Sequence, residues 1–236
     1  MPTESITSLA SQAETSEDVE RLAERVREAW GLGLGPISDM GALLERHGVL
    51  PIEVEGHSAR LDAFSVWAAR RPVVFLSTEK GSASRRRFDA AHELGHLLMH
   101  VDVSPGDPEL ERQADAFASA FLLPRATFGA ECPRRLSWPH LRDLKRRWKV
   151  SLAAMVRRAY DLGVFSEATY RRGYMQLNKR GWREDEPEEP IMERPRMLQE
   201  VVELLERSGY ARAQIAEGVH LHVSDLEGFL ALPRRP

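Results

Sequence analysis

One cysteine, Cys132, stands in 236 residues. A single thiol forms no intrachain disulfide and builds no thiolate metal cluster alone, so the expected setting is a reducing cytoplasm. No stretch approaches the roughly 18 consecutive apolar residues of a membrane span. The N-terminus, MPTESITSLASQAETSEDVE, is acidic and lacks the apolar centre of a secretory signal. Internal repeats with the period of a solenoid or propeller are also missing. The run Gly31-Leu32-Gly33-Leu34-Gly35-Pro36 is not a dinucleotide loop, because it follows a helical pattern rather than a strand and lacks the third glycine of GxGxxG. It reads as a turn.

What is present is a chain with 42% hydrophobic residues, enough for a core, and a length suited to one or two domains. The formal charge of −3 hides an asymmetry. Residues 1–124 carry a net −8, residues 125–183 a net +11 and residues 184–236 a net −6. A basic middle between acidic ends points to an anionic partner or to contact between the chain's own segments.

Residues 1–15 have no apolar period and read as a flexible tail. Helical periodicity begins at Ser16, with Val19, Leu22, Ala23, Val26, Ala29 and Trp30 on one face. A short helix fits 38–48. Strand-like runs follow at 50–55, 61–67 and 72–77, separated by turn signals that favour an antiparallel meander. Helices fit 83–100 and 108–123, the second opened by Asp107-Pro108 and closed by Pro124. Further helices fit 138–148, 151–162 and 166–173. The stretch 183–196, REDEPEEPIMERPR, is acidic and proline-rich and reads as a linker. The expected fold is α+β: a small three-stranded, mostly antiparallel sheet on a helical, zincin-like core over 16–182, and a small helical module at 197–236.

The chemistry concentrates in His92-Glu93-Leu94-Gly95-His96. On a helix, His92 and His96 lie one turn apart on one face, so both imidazoles reach one metal ion. Glu93, about 100° round, addresses a metal-bound water rather than the metal. Phe88, Ala91, Leu94, Gly95, Leu97 and Leu98 mark a mostly buried helix, where two histidines and a glutamate need a partner. Zinc needs a third ligand. In the next helix Glu111 and Asp115 share a face flanked by Ala114, Ala118 and Leu122. This assigns Glu111 as ligand and Asp115 as the acceptor for a ligating histidine's other ring N–H. Two histidines and one glutamate with an open fourth position make a catalytic zinc set. His100, one further turn on, is too far along the helix to ligate the same ion. It is assigned a supporting or structural role. The group that stabilises the oxyanion stays open among Arg112, His140 and Tyr160.

With these residues in hand, RFDAAHELGHLLMH followed by ERQADAFASAFLLP resembles the ImmA/IrrE family of metallopeptidases, and RRLSWPHLRDLKRRWKVSLAAMVRRAYDLGVFSEATYRR resembles the segment that follows in that family. The resemblance covers roughly residues 20–182. It implies zinc held by His92, His96 and Glu111, with Glu93 catalytic. It also implies a protein substrate, a helix-turn-helix repressor of the Cro/cI type, cleaved to release stress, phage or mobile-element genes. Relatives often carry a helix-turn-helix at the N-terminus of the same chain. This sequence opens on the peptidase region, so a separate repressor is expected. The alternative is a catalytically quiet zinc-fold regulator that acts by binding a protein or DNA. An intact Glu93 favours the enzyme.

Arg142, Lys145, Arg146, Arg147 and Lys149 lie beside Trp138 and Trp148. They read as a solvated helix face, or else as a docking surface for an acidic protein or DNA. Residues 198–232 have a faint helix-turn-helix rhythm, yet the second helix would begin Ser224-Asp225-Leu226-Glu227, whose carboxylates repel phosphate. Packing or docking is expected there, not DNA reading. Direct nucleic-acid binding and membrane association are not expected, and the oligomeric state is left open.

Overall fold

The computed structural model describes residues 6–11, 13, 15–54, 63–68, 70–78, 81–100 and 107–230. Its first helix, α1 (Ile6–Leu9), falls where a tail was expected. Ile6, Leu9 and Ala13 are buried in the main core, and the Ser11 amide donates to the Leu98 carbonyl at 3.1 Å. Three apolar side chains scattered among polar ones carry no period, but they suffice to dock the segment.

Helix α2 (Ser16–Ala29) starts at a capping box in which Thr15 and Asp18 satisfy each other's amides. It stops where Gly31 and Gly33 take φ of 64° and 59°. Buried Arg27 holds this turn by donating to the carbonyls of Gly33, Gly35 and Phe121. After α3 (Met40–Arg46) come β1 (Leu50–Val54), β2 (Ala63–Ala68) and β3 (Arg71–Ser77).

The sheet is not the expected meander. Its order is β1-β3-β2, with β1 parallel to β3 and β2 antiparallel to it, so the sheet is mixed rather than mostly antiparallel. The reason lies in burial. The continuous apolar run Val73-Val74-Phe75-Leu76 suits a strand enclosed by two neighbours. The β2 strand alternates half-buried and exposed positions, and β1 carries Pro51, which suit edges.

Helices α4 (Ala83–Met99) and α5 (Pro108–Leu122) form the core pair, capped by Ser82 and Asp107. Then follow α6 (Arg125–Glu131), α7 (Trp138–Trp148), α8 (Leu152–Asp161) and α9 (Glu167–Lys179), the last running six residues beyond the expected end. Among the described residues, no helix is long and apolar enough to cross a membrane.

Residues 183–196 contain no helix or strand, but they are not a free linker. Glu186 accepts from Lys145 Nζ at 2.6 Å and from the Leu152 amide at 2.7 Å, at the start of α8. Glu189 accepts from Lys145 Nζ at 2.5 Å and from Ser84 Oγ at 2.8 Å. Glu188 binds Arg142 and Arg146. Glu193 binds Arg87 and the Met40 amide. The acidic strap thus fastens α3, α4, α7 and α8 together. It also answers part of the charge asymmetry: Arg142, Lys145 and Arg146 of the basic middle meet the chain's own acidic segment.

Beyond the strap, α10 (Met197–Arg207), α11 (Arg212–Gly218) and α12 (Val223–Leu230) enclose a second small core of Val202, Ile215, Ala216 and Leu226. Helices α11 and α12 join through a four-residue turn in which His220 takes φ 58°, a helix-turn-helix shape. Ser224, Asp225 and Glu227 on α12 are exposed, as are His220 and His222.

One core residue sets an acid limit on stability. His47 is 7% exposed and stacks on Trp30 at 4.1 Å, and neither ring nitrogen has a hydrogen-bond partner among the described residues. Burial, aided by Arg46, pushes its pKa below 6.5. The folded state therefore keeps His47 neutral while the unfolded chain takes up a proton from about pH 6.5 downward. Stability falls by about 1.4 kcal/mol per pH unit from there until the folded pKa is passed. His47→Phe keeps the stack and removes the titration. Denaturant titrations from pH 7.5 to 5 should show the variant losing less stability than the parent below pH 6.5, and parallel curves would refute this.

Candidate metal centre

The α4–α5 pair brings the motif together because Gly95 lets the helices approach. A Cβ at Gly95 would sit 3.1 Å from Phe117 Cδ1 and 3.4 Å from the Ala114 Cα. This close packing carries Glu111, on the exposed edge of α5, opposite His92 and His96 on α4. Gly95→Val should therefore force the helices apart and weaken metal binding together with stability. Metal titration followed by a chromophoric chelator would read the first effect, and unchanged affinity would sink the argument.

His92 Nε2 lies 3.0 Å from His96 Nε2 and 3.2 Å from Glu111 Oε2, and Glu111 Oε1 is 3.6 Å from His96 Nε2. Donors about 2.0–2.1 Å from one tetrahedral ion stand roughly 3.3 Å apart, so the three atoms fit zinc. The outer hydrogen bonds decide what the inner nitrogens are. His92 Nδ1 donates to Asp115 Oδ1 at 2.9 Å, which leaves Nε2 as a lone pair. On the other side, His100 Nε2 donates to Gln113 Oε1 at 2.9 Å, so His100 Nδ1 accepts from His96 Nδ1 at 2.9 Å. His96 Nε2 is then a lone pair too. Two lone pairs and a carboxylate facing one another repel unless a cation lies between them.

With no cation, the cluster must take up a proton instead. Burial opposes protonation of His92, but Asp115, Glu93 and Glu111 outweigh it and raise its pKa. Burial and His92 hold His96 down to about 4.

Glu93 lies outside this triangle, 6% exposed, facing the sheet. Ser65 Oγ on β2 donates to Glu93 Oε2 at 2.7 Å. Burial raises the Glu93 pKa, against the pull of the Ser65 bond. The carboxyl group thus sits between the histidine helix and the edge strand.

The structure places the sequence-assigned residues as follows. His92, His96 and Glu111 converge, Asp115 bonds to His92, and His100 bonds to His96. Ser65 and Gln113 were not singled out, and no motif marks them: they are brought in by β2 and α5 packing. The three oxyanion candidates do not gather at the site. Arg112 pairs with Glu109, His140 is exposed on the first turn of α7, and Tyr160 stacks on Tyr170 at 4.8 Å. A cavity of about 870 Å³ is not lined by His92, Glu93, His96 or Glu111. It begins at Asp115 and extends past Arg85, Phe88, Asp89 and Ser119, continuing the α4–α5 cleft away from the ligands.

Comparison with curated proteins finds no match. Residues 44–160, which span every residue of this centre, match the family model Peptidase M78, described as the IrrE N-terminal-like domain. A paired HExxH and ExxxD on two packed helices is thus what the matched segment holds, and residues 44–160 form a domain of the Peptidase M78 metallopeptidase family.

Proposed function

We propose that the chain is a cytoplasmic, zinc-dependent endopeptidase that cleaves a helix-turn-helix repressor of the Cro/cI type in stress or mobile-element regulation. The observation that carries the zinc assignment is the convergence of two imidazole nitrogens and a carboxylate at ligand spacing, with Glu111 open to solvent on one side. The repressor assignment rests on the family resemblance.

A bound zinc ion would supply a Lewis acid that polarises a carbonyl and acidifies water near neutral pH. The chain's own residues do the rest. His92, His96 and Glu111 would hold the ion, while Asp115 and the His100–Gln113 pair fix the imidazole tautomers. Glu93 takes a proton from the attacking water as its oxygen bonds to the scissile carbonyl carbon. The carbon–nitrogen bond then breaks as Glu93 returns the proton to the leaving amine. Ser65 occupies Glu93 Oε2 and leaves Oε1 for that transfer. The outer edge of β2, next to Glu93 and unpaired among the described residues, can align an extended peptide by main-chain pairing.

The test is co-incubation of the purified chain with a purified helix-turn-helix repressor of the Cro/cI type, with zinc and with zinc plus chelator. Cleavage should occur in the first sample only, and metal analysis should give one zinc per chain. Protein that holds no stoichiometric metal and cannot take one up would refute the reading.

A further inference from the structure

The fold divides the +11 of residues 125–183 into two parts. Along α7 the cations are used internally: Lys145 by Glu186 and Glu189, Arg142 and Arg146 by Glu188, and Arg147 by Glu131. Near α8, Arg158 pairs with Glu20, Arg125 with Glu17, and Arg157 with Asp161. Lys149 donates to the Ser38 carbonyl at 2.6 Å, and what remains lies on and beside α9. Arg134, Arg135, Arg172, Lys179, Arg180 and Arg183 are all exposed, and none has a carboxylate partner among the described residues.

Packing makes five of these neighbours, all but Arg183. Arg172, Gln176 and Arg180 recur every four residues and form one stripe of α9. Trp138 Nε1 donates to Gln176 Oε1 at 2.5 Å, and a Cβ at Gly173 would lie 3.8 Å from Leu136. The loop that carries Arg134 and Arg135 therefore runs alongside that stripe. Arg180 lies over Trp182 at 4.7 Å, on the flank where Trp138 meets Gln176, whereas Arg183 lies over Tyr174 at 5.4 Å, on the flank that faces α8. The acidic groups nearby are at the ends: Glu167 is taken by Arg171, and Glu184 and Asp185 follow Arg183.

We propose that this face binds the phosphate backbone of duplex nucleic acid without reading its sequence. Exposed guanidinium forks match phosphate geometry. A protein partner would need an apolar anchor at the centre of the patch, and Met175 is the one large hydrophobic side chain exposed on α9. The aromatic rings are half-buried under their own arginines, so they offer no platform for stacked single-stranded bases. The surface is separate from the α7 block and from the acidic α12. The proposal does not depend on peptidase activity.

The test is fluorescence anisotropy of the full chain with a labelled random-sequence duplex of about 20 base pairs, between roughly 50 and 200 mM salt. Binding should be in the range of about 10⁻⁴–10⁻⁶ M near physiological salt, with log Kobs falling against log salt at a slope of about −4 to −5. Arg172→Ala/Lys179→Ala/Arg180→Ala should reduce that slope by about 2 to 3, and Arg134→Ala/Arg135→Ala by about 2. Arg146→Ala/Arg147→Ala should leave it unchanged, because those cations already face carboxylates. Absence of binding at about 100 µM chain in low salt overturns the proposal, as does a slope that both α9-face variants leave intact. Poly-glutamate binding as tightly as the duplex at equal salt also overturns it, in favour of an acidic protein.

Discussion

Glu93→Gln should keep one zinc per chain and slow repressor cleavage by about 10²–10⁴-fold, the range contributed by a positioned general base. The substitution is close to isosteric. The residue is 6% exposed, and Ser65 Oγ can still donate to the amide oxygen, so packing and the hydrogen bond survive. What is lost is the ability to accept a proton. Glu93 contributes no atom to the ligand triangle, so metal content is the control: it should match the parent, whereas His96→Ala should lose metal and cleavage together. A Glu93→Gln protein that cuts at the parent rate would end the proposed role of this carboxylate.

Lys145→Met should cost about 3 kcal/mol or more, the penalty for leaving buried carboxylates without their cation. The Lys145 side chain is fully enclosed, and Glu186 is 2% exposed. Methionine fills most of the space, so the loss is electrostatic rather than a cavity. Glu186 keeps the Leu152 and Ala153 amides at the start of α8, which limits the damage at one end. Glu189 keeps the Ser84 amide and hydroxyl. For a chain of this size the expected drop in melting temperature is about 6–12 °C, with faster proteolysis within 183–196. A change under about 1 kcal/mol would mean that the strap is not held as described.

The strap shows why part of the fold was not legible. Its composition, REDEPEEP, correctly excluded helix and strand, because prolines remove amides and break both patterns. The same composition is what a solvated linker has. Only the placement of Lys145, Arg142 and Arg87 around it turns those carboxylates into fasteners. The sheet is a similar case. The apolar run at 73–76 fits a central strand and the alternation at 63–68 fits an edge, but the turn signals between neighbours favoured a meander. Burial of β3 on both sides outweighed them. Residues 6–13 were misread as a tail because their apolar positions have no period, and docking needs none.

The metal centre was legible because helical spacing is a local property. Four residues separate His92 from His96 and Glu111 from Asp115, and a helix places each pair on one face whatever surrounds it. Sequence alone thus picked out the three donors that the fold brings together, the carboxylate proposed as general base, and the single cysteine. Tertiary structure decided what spacing cannot reach. Gly95 brings α5 close enough for Glu111 to meet the histidines. The Asp115 and His100–Gln113 bonds set both inner nitrogens as lone pairs, and Ser65 arrives from a strand twenty-eight residues earlier. Charge followed the same rule: its total was readable from composition, but which arginines stay free depends on which carboxylates the fold lays against the others.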